Sequence, residues 1–518
     1  MRPSTYLQAT RHSAYQRTSS HPCPFTNSTQ DHKGSNVVGL VKESILTPLP
    51  YRSSRNHPRY YRRGQVRQVK NKKIRCVAGG YTWSSSSVVQ EDRMLVFVDK
   101  MTKIFPQVFV EGQSWNVEME TGVKVKALDE YLRRNDVPRT MTSSIVKGEV
   151  CFGGVLALGS HGAATQSRTL SDLACEVKIV DATGTLNTFT RDKDPVEFSA
   201  AACNLGLLGV IYSYTLRVEP MFNLSVSDSY LLLMNVFDCP KQGGARLKEM
   251  VLQNDQTQIL YWPFNSHYKC KGETVTVRYA KDELWIKQWK QTDQPESVTF
   301  AWKIHRRVRQ YIASALGSST FRLMVVKPKT VRVLSGLFHR ELKRPAEKIL
   351  AAPDTIHYMA NLEAAVVIDL ECVFKADEGF EKAVKAWKFA IDKIYEYAAR
   401  GEYPVNMTVD MRFIKSSDQI MSYVYDEDPE AIFCTMEILA VAETRGFEDF
   451  SAMLAQHLMS EYKARVHWAK LWEHIPGIVP YLREHAGPQL DRFESIRKKY
   501  DPQGIFLNKT FAGVLGHK

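Results

Sequence analysis

The sequence predicts an α+β chain of two principal domains. Short strands mix with short helices over residues 73–220, without a regular strand–helix–strand series. The character changes near Pro220, where longer strands and long helices begin. A length of 518 residues, 44% apolar and 24% charged, suffices for a large buried core.

Residues 1–72 lead the chain as a basic Ser/Pro/His/Arg-rich segment with no sustained periodicity, expected to be largely disordered. Arg2, Arg11 and Arg17 lie among Ser and Thr ahead of the first acid, Asp31, as in a transit peptide. Pro3, Pro22 and Pro24 argue against the amphipathic helix such a peptide needs. Residues 1–75 hold 15 Lys/Arg against Asp31 and Glu43, which accounts for the whole net charge of +13. The excess therefore sits in the leader and not on a folded face, which argues against nucleic acid as a partner.

Nine cysteines stand singly, with no CxxC pair, as expected of reduced thiols in an intracellular protein and not of a disulfide framework or a zinc site. No metal is expected. The longest apolar runs, such as Tyr230–Met234 and Ala364–Leu370, are too short to span a bilayer, so no integral membrane span is expected. The compartment reads as cytoplasmic or mitochondrial, with peripheral attachment to a membrane left open.

Order begins near Lys73. Ile74–Ala78 reads as a strand that turns at Gly79-Gly80-Tyr81-Thr82-Trp83, and serines 84–87 follow. Met94–Val98 and Trp115–Met119 read as further strands. Val125, Leu128, Tyr131 and Leu132 share one face of a short helix. Next comes the stretch around which the chain is organised, Gly153-Gly154-Val155-Leu156-Ala157-Leu158-Gly159-Ser160-His161-Gly162-Ala163. Its glycines allow close backbone approach and outward N–H groups, which suits a pyrophosphate. Glu176–Val180 and Thr185–Thr190 flank a turn at Asp181–Gly184 as a hairpin, and Pro195–Cys203 reads as a helix. Leu205-Gly206-Leu207-Leu208-Gly209 leads into a strand over Val210–Val218. The GxGxxG dinucleotide fingerprint between strand and helix is absent.

Beyond Pro220, Val366–Phe374 reads as a strong strand. The stripe Phe380, Ala383, Val384, Trp387, Ile391, Ile394, Tyr395 marks a helix that ends at Gly401 and Pro404. In Thr408-Val409-Asp410-Met411-Arg412-Phe413, an acid and a cation two residues apart share one face of a strand.

The order of these segments resembles the aldonolactone oxidase branch of the vanillyl-alcohol-oxidase superfamily of FAD-linked oxidoreductases. Arg75–Ser84 is similar to the family's first flavin loop. Gly153–Gly162 with Leu170-Ser171-Asp172 is similar to its second, and Leu205–Leu216 to the segment beside the adenine. His467-Trp468-Ala469-Lys470 and Tyr500–Asn508 are similar to its C-terminal signatures. The resemblance covers residues 73–518. It implies a two-subdomain PCMH-type FAD-binding domain over residues 73–220. A cap over 221–450, an antiparallel sheet covered by helices, and a C-terminal segment, 451–518, returning to the flavin site complete it.

The resemblance implies FAD held by Ala78, Gly79, Gly80, Tyr81, Thr82, Gly153, Gly154, Gly159, Ser160, His161, Gly162, Gly209, Ile211 and His467. Tyr81 stands where covalent members carry histidine, so the FAD is expected to be dissociable. Asp410 and Arg412 resemble the family's Glu-x-Arg strand. Arg412 would hold the substrate oxygen and Asp410 orient the hydroxyl or take its proton, with Lys470 stabilising the reduced ring. The implied activity is oxidation of an alcohol of a sugar lactone or polyol by hydride transfer to flavin N5, as in D-arabinono-1,4-lactone oxidase. Oxygen or an electron-carrier protein would be the acceptor. Two alternatives are an oxidase of sterols or other apolar alcohols and a degraded flavin-binding scaffold. Asp410 is one methylene shorter than the family's Glu, about 1.5 Å less reach.

Overall fold

The computed structural model describes residues 73–85, 93–110, 115–237, 243–266, 281–343, 346–358 and 366–517. The leader, serines 86 and 87, the start of the Ala364–Leu370 run, and Cys23, Cys239 and Cys270 lie outside the described residues.

The first strand, β1 (Lys73–Val77), starts one residue earlier than its apolar pattern suggests and pairs in parallel with β2 (Arg93–Phe97). An antiparallel sheet follows, built from β3 (Val108–Phe109), β4 (Trp115–Glu120), β5 (Arg139–Thr140), β6 (Ala174–Val180), β7 (Leu186–Thr190) and β8 (Val210–Pro220). Its order is β3-β4-β8-β6-β7, with β5 on the end of β8. The expected hairpin is present: β6 and β7 pair across Asp181–Gly184, whose Asp181 side chain accepts from the Thr183 and Thr185 N–H groups.

The central glycine stretch opens as a short helix, Phe152–Ala157, and becomes a loop only from Leu158. The reason is packing. A Cβ on Gly153 would stand 2.9 Å from the Thr121 Cβ and 3.0 Å from its carbonyl oxygen, so glycine alone lets this turn lie on the end of β4.

The second sheet has eight strands: β9 (Asn223–Leu232), β10 (Gln256–Tyr261), β11 (Glu283–Thr292), β12 (Ala346–Ala351), β13 (Val367–Lys375), β14 (Val409–Lys415), β15 (Ile432–Val441) and β16 (Arg465–Val466). Their order is β12-β9-β11-β10-β14-β15-β13-β16, antiparallel throughout. The sheet thus runs past residue 450 to include Arg465 and Val466. Helices Glu381–Ala399 and Phe447–Tyr462 cover one face. On that side Phe413 stacks on Phe380 at 4.8 Å, Trp387 on Phe237 at 5.0 Å, and Phe374 meets Tyr462 at 5.4 Å. Side chains alternate along a strand, so the residues between these point to the opposite face.

The chain end staples the beginning. The Ile74 N–H donates to Ile505 O at 2.8 Å, and the buried Arg75 guanidinium donates to the carbonyls of Leu205, Gly206 and Phe506. Helix Ile478–Tyr500 ends just before this tail, and the Ala182 N–H donates to Tyr500 O at 3.0 Å.

Candidate active site

Register builds the site. Gln258 on β10 lies opposite Arg412 on β14, Asp410 lies opposite Glu437 on β15, and Glu437 lies opposite Glu371 on β13. With Asp369, two residues before Glu371, these side chains share the face turned away from the helices. Carboxylates directly opposite one another destabilise a sheet unless cations separate them. Two cations do. Arg412 reaches Asp410 at 2.6 Å and Glu437 at 2.7 Å. Lys470, from the turn after β16, bonds both Asp369 and Glu437 and stands 3.8 Å from Glu371.

Burial sets the protonation states of this network. Asp369 is pushed well above the usual carboxylate range, first by burial and then by the charge of Glu437. Its Oδ2 accepts from Lys470, and its Oδ1, like that of Asp410, is buried with no partner among the described residues. Burial alone would raise Glu437 too, but Lys470 and Arg412 hold it down to about 2. Asp410 is raised by burial, with Arg412 pulling the other way and Glu437 adding to the rise. Its Oδ2 accepts from Gln258 Nε2 at 2.6 Å and from Arg412, while its Oδ1 is buried with no partner among the described residues. A raised carboxyl with one uncommitted oxygen is what proton abstraction near neutral pH requires.

His161 closes the network from the other domain. Its Nδ1 faces Gly162 O at 2.8 Å and its Nε2 faces Glu371 Oε1 at 2.6 Å. Both partners are acceptors, so each ring nitrogen of His161 faces an oxygen. Despite the burial that raises it, Glu371 is held well below its ordinary range, by His161 first, with Lys470 adding to the fall. The His467 ring lies 5.9 Å from that of His161, and burial lowers it to about 3, leaving it neutral. Its Nδ1 accepts from the Ala469 N–H at 3.1 Å, so its Nε2 carries the proton. The ligand atoms of His161, Glu371 and His467 lie within 4.8 Å of one another, as a metal site would need. The His467 Nδ1, however, is taken by the Ala469 N–H, and each His161 nitrogen faces a protein oxygen.

Both glycine loops reach this network. In the first, Thr82 Oγ1 and the Trp83 N–H donate to Ala469 O at 3.1 and 2.8 Å. The ammonium of Lys470 lies 4.6 Å above the Trp83 ring. Lys470, expected to stabilise the reduced ring, is shared among Asp369, Glu437 and Trp83. Tyr81 is 46% exposed, and its ring sits over Gly79, whose added Cβ would also meet Cys151 Sγ at 3.4 Å. The first loop thus abuts the start of the second.

Within the second loop the expected anion cradle needs correction. The N–H groups of Gly153, Gly154, Gly159 and Ser160 are bonded to Thr121, Cys151, Leu156 and Val155 carbonyls. The N–H groups of Gly79, Gly80, His161 and Gly162 have no such bond among the described residues. Gly209 and Ile211 hold β8 to its neighbours: a Gly209 Cβ would stand 2.2 Å from Val180 O, and Ile211 O accepts from Thr121 Oγ1.

Beside Arg412 lies a narrow cleft of about 10 Å³, room for about one water, lined by Ser144, Gly162, Gln256, Gln258, Trp289 and Ile356 among others. Tyr358 OH donates to Gln258 Oε1 at 2.8 Å, which fixes the amide that holds Asp410. Sequence reasoning did not single out Asp369, Glu371, Glu437, Gln258 or Tyr358. A signal existed for the acids: Asp369 and Glu371 recur at period two inside an apolar strand, and Glu437 interrupts another apolar run.

A family model described as D-arabinono-1,4-lactone oxidase matches residues 215–514, and one described as FAD binding domain matches residues 65–190. D-arabinono-1,4-lactone oxidase of Yarrowia lipolytica is 30% identical over 482 residues, covering 83% of this chain and 88% of the relative. L-gulono-1,4-lactone dehydrogenase of Mycobacterium tuberculosis H37Rv is 23% identical, covering 86% and 91%. Among solved structures, cholesterol oxidase from B. sterolicum superposes with a TM-score of 0.69 at 16% identity, covering 86% of this chain and 90% of that one. This last likeness is one of fold. The residues present fit an FAD. A Cβ on Gly154 would meet nothing within 4 Å, and the Ser144 hydroxyl, whose backbone carbonyl abuts Gly162, is buried without a partner among the described residues.

Proposed function

The chain belongs to the D-arabinono-1,4-lactone oxidase family of FAD-dependent oxidoreductases, and from that premise we propose that it oxidises a ring or side-chain alcohol of a sugar lactone against the polar face of the eight-stranded sheet. The observation that carries this reading is the Asp410–Arg412 pair, with Oδ1 of the buried Asp410 uncommitted.

FAD, when bound, supplies the two-electron acceptor for the alcohol. The N–H groups of Gly79, Gly80, His161 and Gly162 are the candidates to hold its phosphates, with Ala78, Tyr81, Thr82, Gly154 and Ser160 around it. Tyr81 has no imidazole to form a histidyl link, so the FAD is held without a covalent bond.

Arg412 neutralises charge that develops on the carbinol oxygen. Asp410 Oδ1 receives the hydroxyl proton, and Gln258, itself held by Tyr358, keeps Oδ2 and therefore the whole carboxyl in place. Glu437 sits between Arg412 and Lys470, so both cations remain charged and directed at one wall. The cleft beside Arg412 sets Gln256, Gln258, Ser144 and Arg412 among Val146, Ala163, Trp289 and Ile356, so the preference for a lactone over an apolar alcohol rests on the family.

The test is turnover. FAD-loaded protein is offered a panel of aldonolactones, polyols and sterols with oxygen or an artificial electron acceptor. Lactone-dependent turnover is expected; turnover of sterols alone would overturn the assignment.

A further inference from the structure

The row of side chains that carries the site does not stop at Gln258. Across β9, β11, β10 and β14, Asp228 lies opposite Lys287, Lys287 opposite Gln258, and Gln258 opposite Arg412. Residues opposite one another share a face, so Lys287 stands on the same face as the Asp410–Arg412 pair. Lysine is seldom buried unless paired, and this one is 6% exposed. Its ammonium donates to Asp228 Oδ1 at 2.8 Å and Oδ2 at 3.1 Å, and Asp228 Oδ1 also accepts from Trp285 Nε1 at 2.8 Å. Burial lowers the basicity of Lys287; Arg306 and Lys348 add to the fall and Asp228 opposes it.

The rest of the ammonium is met by rings. It stands 4.8 Å from the centre of the Tyr358 ring, 5.5 Å from that of Trp289 and 5.7 Å from that of Trp285. Trp285 and Trp289 flank Lys287 on β11, and each lies 6.1 Å from Tyr358. A cation within about 6 Å of an aromatic face is attracted to it. These three β11 side chains therefore hold the Tyr358 ring in one pose. The cation also polarises the phenol, which strengthens its O–H as a donor. That hydroxyl donates to Gln258 Oε1. With Oε1 taken, the other end of the amide, Nε2, is turned to Asp410 Oδ2 at 2.6 Å.

We propose that Lys287 is a positioning residue for the reaction: through Tyr358 and Gln258 it holds the Asp410 carboxyl in place as the proton acceptor. The inference rests on the reading of Asp410 as the base. No hydrogen bond or ion pair joins Lys287 to Asp410 among the described residues, so its effect runs through the two residues between them. The charged groups that face Asp410 are Arg412 from its own strand and Glu437 from β15, and Tyr358 is the further titratable group beside it. A substitution at Lys287 leaves all three in the chain. Loosening Tyr358 releases the Gln258 amide, which removes a hydrogen bond to the ionised carboxylate and raises Asp410 further. The acid limb of flavin reduction then moves to higher pH.

The test is the pH dependence of flavin reduction by an aldonolactone without oxygen. Full-length, FAD-loaded wild type is compared with Lys287→Met, Tyr358→Phe and the double variant, matched for flavin content and melting. Where Lys287→Met does not hold flavin, Lys287→Gln, which removes the charge and keeps a donor toward Asp228, takes its place. Loss of Lys287 is expected to move the acid limb up by about one pH unit, slowing reduction about tenfold on that limb. Tyr358→Phe is expected to give the same shift, and the double variant no more than either alone. An unshifted limb without Lys287 overturns the proposal, because a merely structural lysine would cost stability or flavin and leave the limb in place. Shifts that add in the double variant overturn it as well, since the charge would then act on Asp410 through space. A wild type that no aldonolactone reduces would overturn the reaction assigned above and this inference with it.

Discussion

Asp410 has two oxygens in different circumstances. One is committed to Arg412 and Gln258, and the other is buried and unbonded. Asp410→Asn keeps the shape and removes the base, so kcat should fall by about 100-fold or more while KM changes little. The base must be ionised to act, so the acid limb of the wild-type pH profile should lie above the ordinary value of 3.8. His467 makes a second, separate prediction. It is neutral when folded, its value lowered from 6.5 to about 3, whereas the unfolded chain takes up a proton below pH 6.5. Stability is therefore full above pH 6.5 and is lost as pH falls toward 3. In His467→Asn, urea denaturation across that window should show a slope shallower by one proton, about 1.4 kcal/mol per pH unit. The pair Asp410 and Arg412 was legible because period two alone puts both on one face. Asp369, Glu371 and Glu437 were not. Alternation tells which residues share a face but not that a second domain buries the polar one.

At the level of elements, the site depends on three strands being held in one register with acids opposite acids. Glu437 touches both cations, so Glu437→Gln leaves Arg412 and Lys470 without a charge that is now desolvated with them. A loss of about 3 kcal/mol is expected on removing one partner of a buried pair, read by thermal or urea unfolding. The glycine helix makes a similar demand on shape. Gly153→Ala would drive a methyl against the Thr121 backbone, and overpacking of this kind costs about 1–3 kcal/mol. That stretch was legible as a place of close approach, but not as a helix. Its sequence gives no cap and no long periodic run, and the turn forms because Thr121 and Cys151 carbonyls receive its first N–H groups. The apolar stripe from Phe380 to Tyr395, by contrast, was readable directly, since seven residues at helical spacing leave no other way to bury that surface.

Across the whole molecule, segments far apart in sequence meet at one place. Residues 79–84, 161–162 and 467–470 converge on Glu371, Glu437 and Ala469, and Arg75 ties the first strand to the tail. Arg75→Met would leave the carbonyls of Leu205, Gly206 and Phe506 without their donor, so the first loop should loosen and FAD dissociate more readily, measured by flavin retained on gel filtration. Because the nucleotide is held only by such contacts, acid precipitation of the holoprotein should leave the flavin in the supernatant; flavin remaining with the pellet would mean a covalent link. The convergence was foreseeable only through the resemblance of ordered motifs, since no local pattern says which distant loops meet. The most direct test of the reaction assigned to this convergence is a single turnover without oxygen: FAD-loaded protein is mixed with an aldonolactone and the loss of oxidised-flavin absorbance is followed, for wild type and for Asp410→Asn with equal flavin content. Rapid bleaching of the wild type and bleaching at least about 100-fold slower in the variant are predicted; a wild type that no lactone bleaches, or a variant that bleaches as fast, would contradict the account.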